Sequence, residues 1–227
     1  MIDIRHRSFE ETLLACEALG GVDLIVTSPP YPDARPGQYG GDASHDFTWP
    51  DYQRLGDHVA RALKPGGFAA VNIDGPVRTT RLGIGSERSL IAFKLAIDWA
   101  ERVGLRYVEH CAYVRDGTPG LFGDRWRSGW EPVHVFQRPG AAGRFDVRGL
   151  EIPAIQAGKM QRPGRNRGGD GRRLQVAHHL QRDTKPLTTA LAGRIASEAQ
   201  EHPAPFSPML ADAFVLCYSP PGGLVCD

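Results

Sequence analysis

The stretch DLIVTSPPY, residues 23–31, joins an apolar strand to a corner made of two prolines. Its first half has the aliphatic, β-branched composition of a buried strand. Each proline fixes its own φ at about −65° and disfavours the helical region for the residue before it. Pro29 and Pro30 also lack N–H groups, so the corner is a rigid ledge that offers carbonyl acceptors without the matching donors.

The corner has the chemistry to hold an amino group. The Ser28 hydroxyl and the Pro29 carbonyl can each accept one amino hydrogen, and Tyr31 places a flat ring beside them. The same residues also fit an ordinary proline-rich turn in which Tyr31 fills part of the core. The four residues alone leave both interpretations open.

The rest of the chain predicts an α/β fold, because candidate strands and helices alternate. Ser8 and Glu11 have the spacing of a capping box, and Lys64-Pro-Gly-Gly67 predicts the end of a helix. The pattern predicts a sheet rich in parallel strands, in which ligands bind at the carboxyl ends of strands, where Ser28 lies. The predicted strands are 2–6, 23–27, 68–74, 106–115 and 131–138, and the predicted helices are 8–19, 51–63, 89–103 and 184–200.

Composition narrows the class of protein. The chain has 227 residues, enough for one sizeable domain and a modest insertion, and its formal net charge is +1. Any affinity for nucleic acid must therefore come from a local patch. The four cysteines show no C-x-x-C spacing, which favours reduced thiols. No apolar run reaches the roughly 20 residues of a membrane span, and the N-terminus has no signal-peptide pattern, so we expect a cytoplasmic protein.

The stretch 158–182 is basic, glycine-rich and almost free of large apolar residues. Such composition is typical of a solvated loop, and it also suits a segment that follows phosphates. His178 and His179 have no further ligand at useful spacing, so exposure is a better interpretation than a metal site.

Four segments together resemble the amino-methyltransferases that modify exocyclic amines in DNA. DLIVTSPPY is similar to their motif IV, (D/N/S)-P-P-(Y/F), whose Ser form is more typical of N4-cytosine enzymes and whose Asp form is more typical of N6-adenine enzymes. ALKPGG (62–67) resembles the turn after motif IV, WEPVHVF (130–136) a late strand, and HPAPF (202–206) motif X. Motif IV early and motif X late is the order of the circularly permuted β class.

The resemblance implies an α/β, Rossmann-like methyltransferase fold that is permuted and lacks the glycine-rich strand and loop of the cofactor site. That loop is typically D-P-F-x-G-S-G, and Asp227 would be its first residue. The chain is therefore expected to be truncated, half of a split enzyme or a degenerate copy, and to bind cofactor weakly or not at all. The implied units are a catalytic core at 1–138, a basic target-recognition region at 139–200, and a motif X segment at 201–227.

The family's functional residues carry over to matching positions. Ser28, Pro29, Pro30 and Tyr31 would hold and stack a flipped base. S-adenosylmethionine would contact His202, Pro203, Pro205, Phe206 and Asp227, and no metal is implied. Double-stranded DNA would be the partner, contacted by Arg162, Arg165, Arg167, Arg172 and Arg173, with a restriction endonuclease as a possible counterpart.

Other candidates receive structural interpretations. Asp74 precedes Gly75-Pro76, so a role in a strand-end turn is favoured over a role in orienting the site. Trp126 and Trp130 are expected in the core or at the start of a strand rather than in base stacking.

Three functions remain on the sequence alone. The first is transfer of a methyl group from S-adenosylmethionine to N4 of cytosine in DNA, and the second is the same reaction at N6 of adenine. The third is an inactive DNA-binding fragment without a cofactor loop. A protein or RNA methyltransferase is less favoured, because the glutamine-modifying relatives carry Asn-Pro-Pro-Tyr in an unpermuted order.

Overall fold

A computed structural model describes residues 8–31, 47–79, 85–114, 130–146, 179–181 and 208–227. The helices are α1 (Phe9–Ala18), α2 (Trp49–Ala62), α3 (Ile91–Glu101) and α4 (Pro208–Tyr218). The strands are β1 (Val22–Thr27), β2 (Leu63–Asn72), β3 (Val77–Thr79), β4 (Ser86–Arg88), β5 (Arg106–Val114), β6 (Trp130–Gln137), β7 (His179–Gln181) and β8 (Val225–Cys226). The predicted alternation of strands and helices is confirmed over these residues.

The main sheet has the strand order β7-β5-β6-β2-β1-β8. β1 is parallel to both β2 and β8, and β5 is parallel to β7. β6 is antiparallel to both of its neighbours, β2 and β5, so the sheet is mixed and the prediction of a parallel-rich sheet holds only in part. The sequence did not reveal this reversal, because a strand buried on both faces has the same apolar composition in either direction.

Helix boundaries follow the predicted capping and stop signals. At the start of α1, the Ser8 Oγ accepts the Glu11 N–H at 3.2 Å, and the Glu11 carboxylate accepts the Ser8 N–H at 3.0 Å, which completes the capping box. α2 ends at Ala62, as the Lys64-Pro-Gly-Gly67 signal indicated. However, β2 starts directly at Leu63 and runs through that signal, with a shift in register against β1 before Phe68. Gly66, at φ 83°, permits this local irregularity.

Two apolar cores cover the two faces of the sheet. On one face, side chains of α1, α2 and α3 form a core with β1, β2 and β6 around the fully buried side chains of Tyr52 and Trp99. The Trp99 indole donates to the Tyr52 carbonyl at 3.0 Å, and Gly56 lies so close to this ring that a Cβ there would be 2.5 Å from it. On the other face, α4 packs Phe214 and Tyr218 against β1, β2 and β6.

Residues 139–146 follow β6 and lie against α4. The Phe145 and Tyr218 rings are 5.0 Å apart, and the Asp146 N–H donates to the Cys217 carbonyl at 2.8 Å. The first residues of the predicted recognition region, 139–200, therefore pack on the core. Most of that region, together with the predicted strand 2–6 and helix 184–200, lies outside the described residues, apart from β7.

The described helices include none with the length and apolar character needed to cross a bilayer.

Candidate active site

Several strands end side by side where the parallel strands have their carboxyl ends, and we call this end of the sheet the site edge. The parallel strands β1, β2 and β8 all end there: β1 and β8 lead into Ser28 and Asp227, and β2 ends at Asn72. Because β6 is antiparallel to β2, its first residues, including Glu131, lie at the same edge. The site edge thus combines the proline corner with polar residues from two neighbouring strands, as expected for a ligand site in an open α/β sheet.

A side chain of α2 holds the proline corner in place. Pro29 is buried, Ser28 is exposed, and the fully buried Tyr52 donates its hydroxyl to the Pro30 carbonyl. The last carbonyl of the corner is therefore used to fix the backbone. Ser28, one residue past the end of β1, is left at the surface with its hydroxyl available to a ligand.

Tyr31 crosses from the corner to the two neighbouring strands. Its hydroxyl lies 3.1 Å from Glu131 Oε2 and 3.3 Å from Asn72 Oδ1. Its ring is half-buried and packs partly against the core that contains α2. The contact with the core agrees with the interpretation of Tyr31 as a core residue, and its role beside a bound amine stays a prediction.

Asn72 and Glu131 were not singled out from the sequence as functional residues. Both are buried, with 4% and 5% of their surface exposed. The Asn72 amide donates to the Pro132 carbonyl at 3.1 Å, which turns its Oδ1 toward Tyr31. A signal for them did exist, because Asn72 interrupts the apolar run FAAVNID and Glu131 opens EPVHVF, but each would have been equally compatible with a solvated strand end.

Comparison with known proteins decides the family. Residues 22–227 match the model of the DNA methylase family, which comprises N6 and N4 methyltransferases. The chain belongs to this DNA methylase family. The match includes the proline corner, β2, β6 and the carboxyl-terminal segment, so the family resemblance noted above is confirmed at this level.

Solved structures confirm the fold of this DNA methylase. PvuII DNA methyltransferase (cytosine-N4-specific) aligns with a TM-score of 0.61 at 20% identity, covering 90% of this chain and 66% of that chain. M1.HpyAVI, solved as a complex with SAM, aligns with a TM-score of 0.54 at 16% identity, covering 99% of this chain and 81% of that chain. The chain thus spans just under two thirds of the PvuII enzyme. No match was found among curated protein sequences.

Two other predicted residues occupy structural positions in the methylase. Asp74 lies in the turn after β2, where its carboxylate accepts the Gly75 N–H at 2.8 Å and the Arg88 guanidinium at 2.5 Å. This position agrees with the interpretation as a turn residue. Trp130 starts β6 as expected, but 41% of its surface is exposed, so the expectation of a core position is wrong for it.

The cofactor-binding residues inferred from the resemblance are only partly described. Asp227 follows β8 at the site edge, and desolvation raises the pKa of its carboxyl although the residue as a whole is exposed. His202, Pro203, Pro205 and Phe206 lie outside the described residues, as do Trp126 and His178. Of the predicted cofactor-binding residues, the structure therefore describes Asp227, which lies at the site edge beside the proline corner.

The described residues give no support for a metal centre. Among them, no three His, Cys, Asp or Glu side chains converge in a way that could hold an ion. His179 begins β7, and the five arginines proposed to contact DNA, at 162–173, lie outside the described residues.

His134, in the middle of β6, is a buried polar residue away from the site edge. Only 1% of its surface is exposed, and its Nδ1 is 2.9 Å from the Tyr107 hydroxyl. Its Nε2 has no hydrogen-bond partner in the part of the chain that the structure describes. Burial lowers the pKa of His134 to about 4, with a smaller contribution from His110, so the ring is neutral at pH 7.

Proposed function

We propose that this chain carries the catalytic site of an S-adenosylmethionine-dependent DNA methyltransferase that modifies an exocyclic amine, preferably N4 of cytosine. The observation that carries the proposal is the placement of Ser28-Pro-Pro-Tyr31 at the carboxyl end of β1, with Tyr31 fixed by β2 and β6. Membership of the DNA methylase family supplies the reaction class.

The proline corner can bind the amino group of the target base and make its nitrogen more nucleophilic. Because Tyr52 occupies the Pro30 carbonyl, acceptance of the amino hydrogens falls to the Ser28 hydroxyl and the Pro29 carbonyl. Hydrogen bonds to both amino hydrogens reduce the conjugation of the nitrogen with the base ring and make its lone pair more available. The cofactor, when bound, supplies an electrophilic methyl group. Ser28 and Pro29 thus hold the nitrogen in position for direct transfer, with no covalent intermediate on the protein.

Tyr31 supplies the surface on which the base is held. An exocyclic amine in a duplex is engaged in pairing, so the target base must leave the stack before Ser28 can reach it. The half-buried Tyr31 ring, next to the corner, would supply the stacking face. The preference for cytosine rests on Ser28, and N6 of adenine is the alternative within the same geometry.

Sheet order supports a permuted arrangement. β8, at the end of the sequence, is parallel to β1 and adjacent to it, so Asp227 and Ser28 follow neighbouring strands at one edge. We place the cofactor between them, with His202, Pro203, Pro205 and Phe206 before α4 as further contacts. Binding of double-stranded DNA by Arg162, Arg165, Arg167, Arg172 and Arg173, a restriction endonuclease counterpart and a cytoplasmic location belong to the same proposal.

Nucleoside analysis tests the reaction. The chain is incubated with unmethylated DNA and labelled S-adenosylmethionine at millimolar concentration, and the digested DNA is analysed by mass spectrometry. We expect N4-methylcytosine, and Ser28→Ala should reduce it on the order of 100-fold, as for loss of one transition-state hydrogen bond. N6-methyladenine without N4-methylcytosine would overturn the preference for cytosine.

The second candidate is a DNA-binding protein without transfer activity, which the basic, glycine-rich composition of residues 158–182 also fits. Calorimetry with S-adenosylmethionine separates the two candidates. Weak binding of S-adenosylmethionine together with slow methylation of DNA supports the enzyme. DNA binding with neither cofactor binding nor methylated product would favour the second candidate.

A further inference from the structure

We infer that Asn72 and Glu131 are positioning residues that fix the plane of the Tyr31 ring for base stacking, an inference that rests on the proposed function. Neither residue belongs to the proline corner, and neither is placed to contact the base directly, since both are buried. They act on the base only through the Tyr31 hydroxyl, which lies 3.1 Å from Glu131 and 3.3 Å from Asn72.

The geometry fixes the Tyr31 ring at its hydroxyl end. A tyrosine has two rotatable side-chain bonds, and the corner already restrains the backbone from which they start. The hydroxyl has one proton, which it donates to Glu131 on β6 or to Asn72 on β2, and either bond holds the far end of the ring at the same place. Asn72 is itself held by the Pro132 carbonyl at 3.1 Å, so the acceptor does not drift with its own rotamer.

The chemistry of the acceptors explains why position 31 carries a tyrosine in this chain. An ionised carboxylate has only acceptor atoms, and burying it is costly unless donors reach it. The Tyr31 hydroxyl is one such donor to Glu131, which is 5% exposed. A phenylalanine at position 31 would keep the stacking face but would remove this donor. The motif tolerates either ring, and the Glu131 and Asn72 acceptors select the hydroxylated one.

A fixed ring matters for rate more than for folding. Stacking of a flipped base requires the ring plane to be parallel to the base while Ser28 and Pro29 hold its amine. A ring free to tilt still binds DNA but presents the amine in the correct position less often. The loss is therefore expected mainly in kcat, with little change in the KM for DNA.

A double-mutant cycle on methyl transfer tests this inference. Glu131→Leu removes the acceptor, Glu131→Gln keeps an acceptor oxygen, and each is combined with Tyr31→Phe. We expect Glu131→Leu to lower kcat about tenfold when Tyr31 is present and at most about twofold in Tyr31→Phe, as for a directly coupled pair. Glu131→Gln should restore most of the loss. Equal losses in both backgrounds would overturn the inference, because they indicate a role that does not pass through the hydroxyl.

Gln137→Leu is the matched control for a general effect on β6. Gln137 is also buried and lies at the other end of the same strand, where its amide donates to the Gly66 carbonyl at 3.1 Å. It should lower thermal stability without changing kcat. Asn72→Ala provides a second route to the same measurement if Glu131→Leu folds poorly, and it should show the same dependence on Tyr31.

A spectroscopic measurement keeps the inference separate from the proposed function. The protein is labelled with 3-fluorotyrosine, and the Tyr31 resonance is assigned by its loss in Tyr31→Phe. We expect Glu131→Leu to shift or broaden this resonance, and Gln137→Leu to leave it unchanged. An unchanged resonance in Glu131→Leu would refute the positioning role. A wild-type protein that shows this response but transfers no methyl group would instead refute the proposed function.

Discussion

The two ends of β6 each carry a buried polar side chain, and the difference lies in the groups that these side chains contact. At the site edge, Glu131 contacts Tyr31 of the proline corner. At the opposite edge, the Gln137 amide donates to the Gly66 carbonyl at 3.1 Å and accepts from the Arg106 guanidinium. Gln137 thus satisfies backbone and scaffold groups, whereas Glu131 contacts the residue that we propose to stack against the base. Burial of a polar residue alone does not mark a functional site.

The opposite edge contains a further polar contact, on β1, which is only partly buried. The Asp23 carboxylate accepts from Lys64 Nζ at 2.8 Å and from the Leu224 N–H at 2.8 Å. It therefore connects β1 with the start of β2 and with the residue before β8. Polar groups at this edge connect neighbouring strands. Changes there should therefore affect stability, whereas changes at the site edge should affect methyl transfer.

The largest expected effect is that of Tyr31→Ala at the site edge. This variant removes the stacking face and a donor to Glu131. Loss of one base–aromatic stack corresponds to about 1–3 kcal/mol, so we expect kcat/KM for methylation to fall on the order of 100-fold. Steady-state assays with labelled cofactor measure the effect, and Tyr31→Phe serves as the control with a smaller loss. A kcat/KM within twofold of wild type would contradict the assignment of Tyr31 to the site.

The second-largest effect is expected for Gly143→Val, at the opposite edge, and it is an effect on stability. A Cβ at Gly143 would lie 2.0 Å from the Gln137 amide nitrogen and 2.4 Å from the Phe68 ring. Such overpacking should reduce the free energy of unfolding by about 3 kcal/mol, at the upper end for inserted methyl groups. Urea denaturation measures this loss. At a temperature where the variant is folded, kcat should remain unchanged, and a large fall in kcat would show that the two edges are not independent.

The sequence predicted the scaffold better than the network around Tyr31. The capping box at Ser8, the end of α2 before Lys64 and the strand ending at Thr27 depend on neighbouring residues, and such local signals are readable from one chain. Contacts of Tyr31 with Asn72 and Glu131 span 41 and 100 residues of sequence. They arise only because β6 runs antiparallel beside β2, and that direction left no trace in the composition of either strand.

A third, intermediate effect concerns pH and the middle of β6. The pKa of His134 is about 4 in the folded protein, mainly because of burial, against about 6.5 for an ordinary histidine. The unfolded chain therefore binds more protons between these values, and stability falls as pH decreases through this window. The contribution is about 2 kcal/mol between pH 7 and pH 5, from the linkage relation applied to these two pKa values.

His134→Phe isolates this contribution. The phenyl ring keeps an aromatic group against Phe136 and does not titrate, while the half-exposed Tyr107 can turn its hydroxyl to water. Urea denaturation of both proteins at pH 7 and pH 5 gives the difference. We expect the wild type to lose about 2 kcal/mol more than the variant over this interval. Parallel curves for the two proteins would show that His134 does not remain neutral in the folded state.

The smallest expected effect is that of Asp23→Asn at the opposite edge. Burial opposes ionisation of Asp23, but hydrogen bonds from Lys64 and Leu224 outweigh it and lower the pKa of its carboxyl. Its contribution is therefore present above the ordinary pKa of an aspartate, about 3.9, and is lost as pH falls below that value. Because Lys64 is partly exposed, solvent screening limits the loss to about 1 kcal/mol at pH 7.

Hydrogen exchange of the Leu224 amide shows where the Asp23→Asn effect is felt. This N–H donates to the Asp23 carboxylate, so its exchange should accelerate in the variant while amides in the middle of β2 remain protected. The Tyr31 fluorine resonance should stay unchanged, because Asp23 and Tyr31 lie at opposite ends of β1 and of the corner that follows it. A shift of that resonance would mean that the contact between Asp23 and Leu224 also sets the geometry of the site edge. The site edge and the opposite edge would then not be independent.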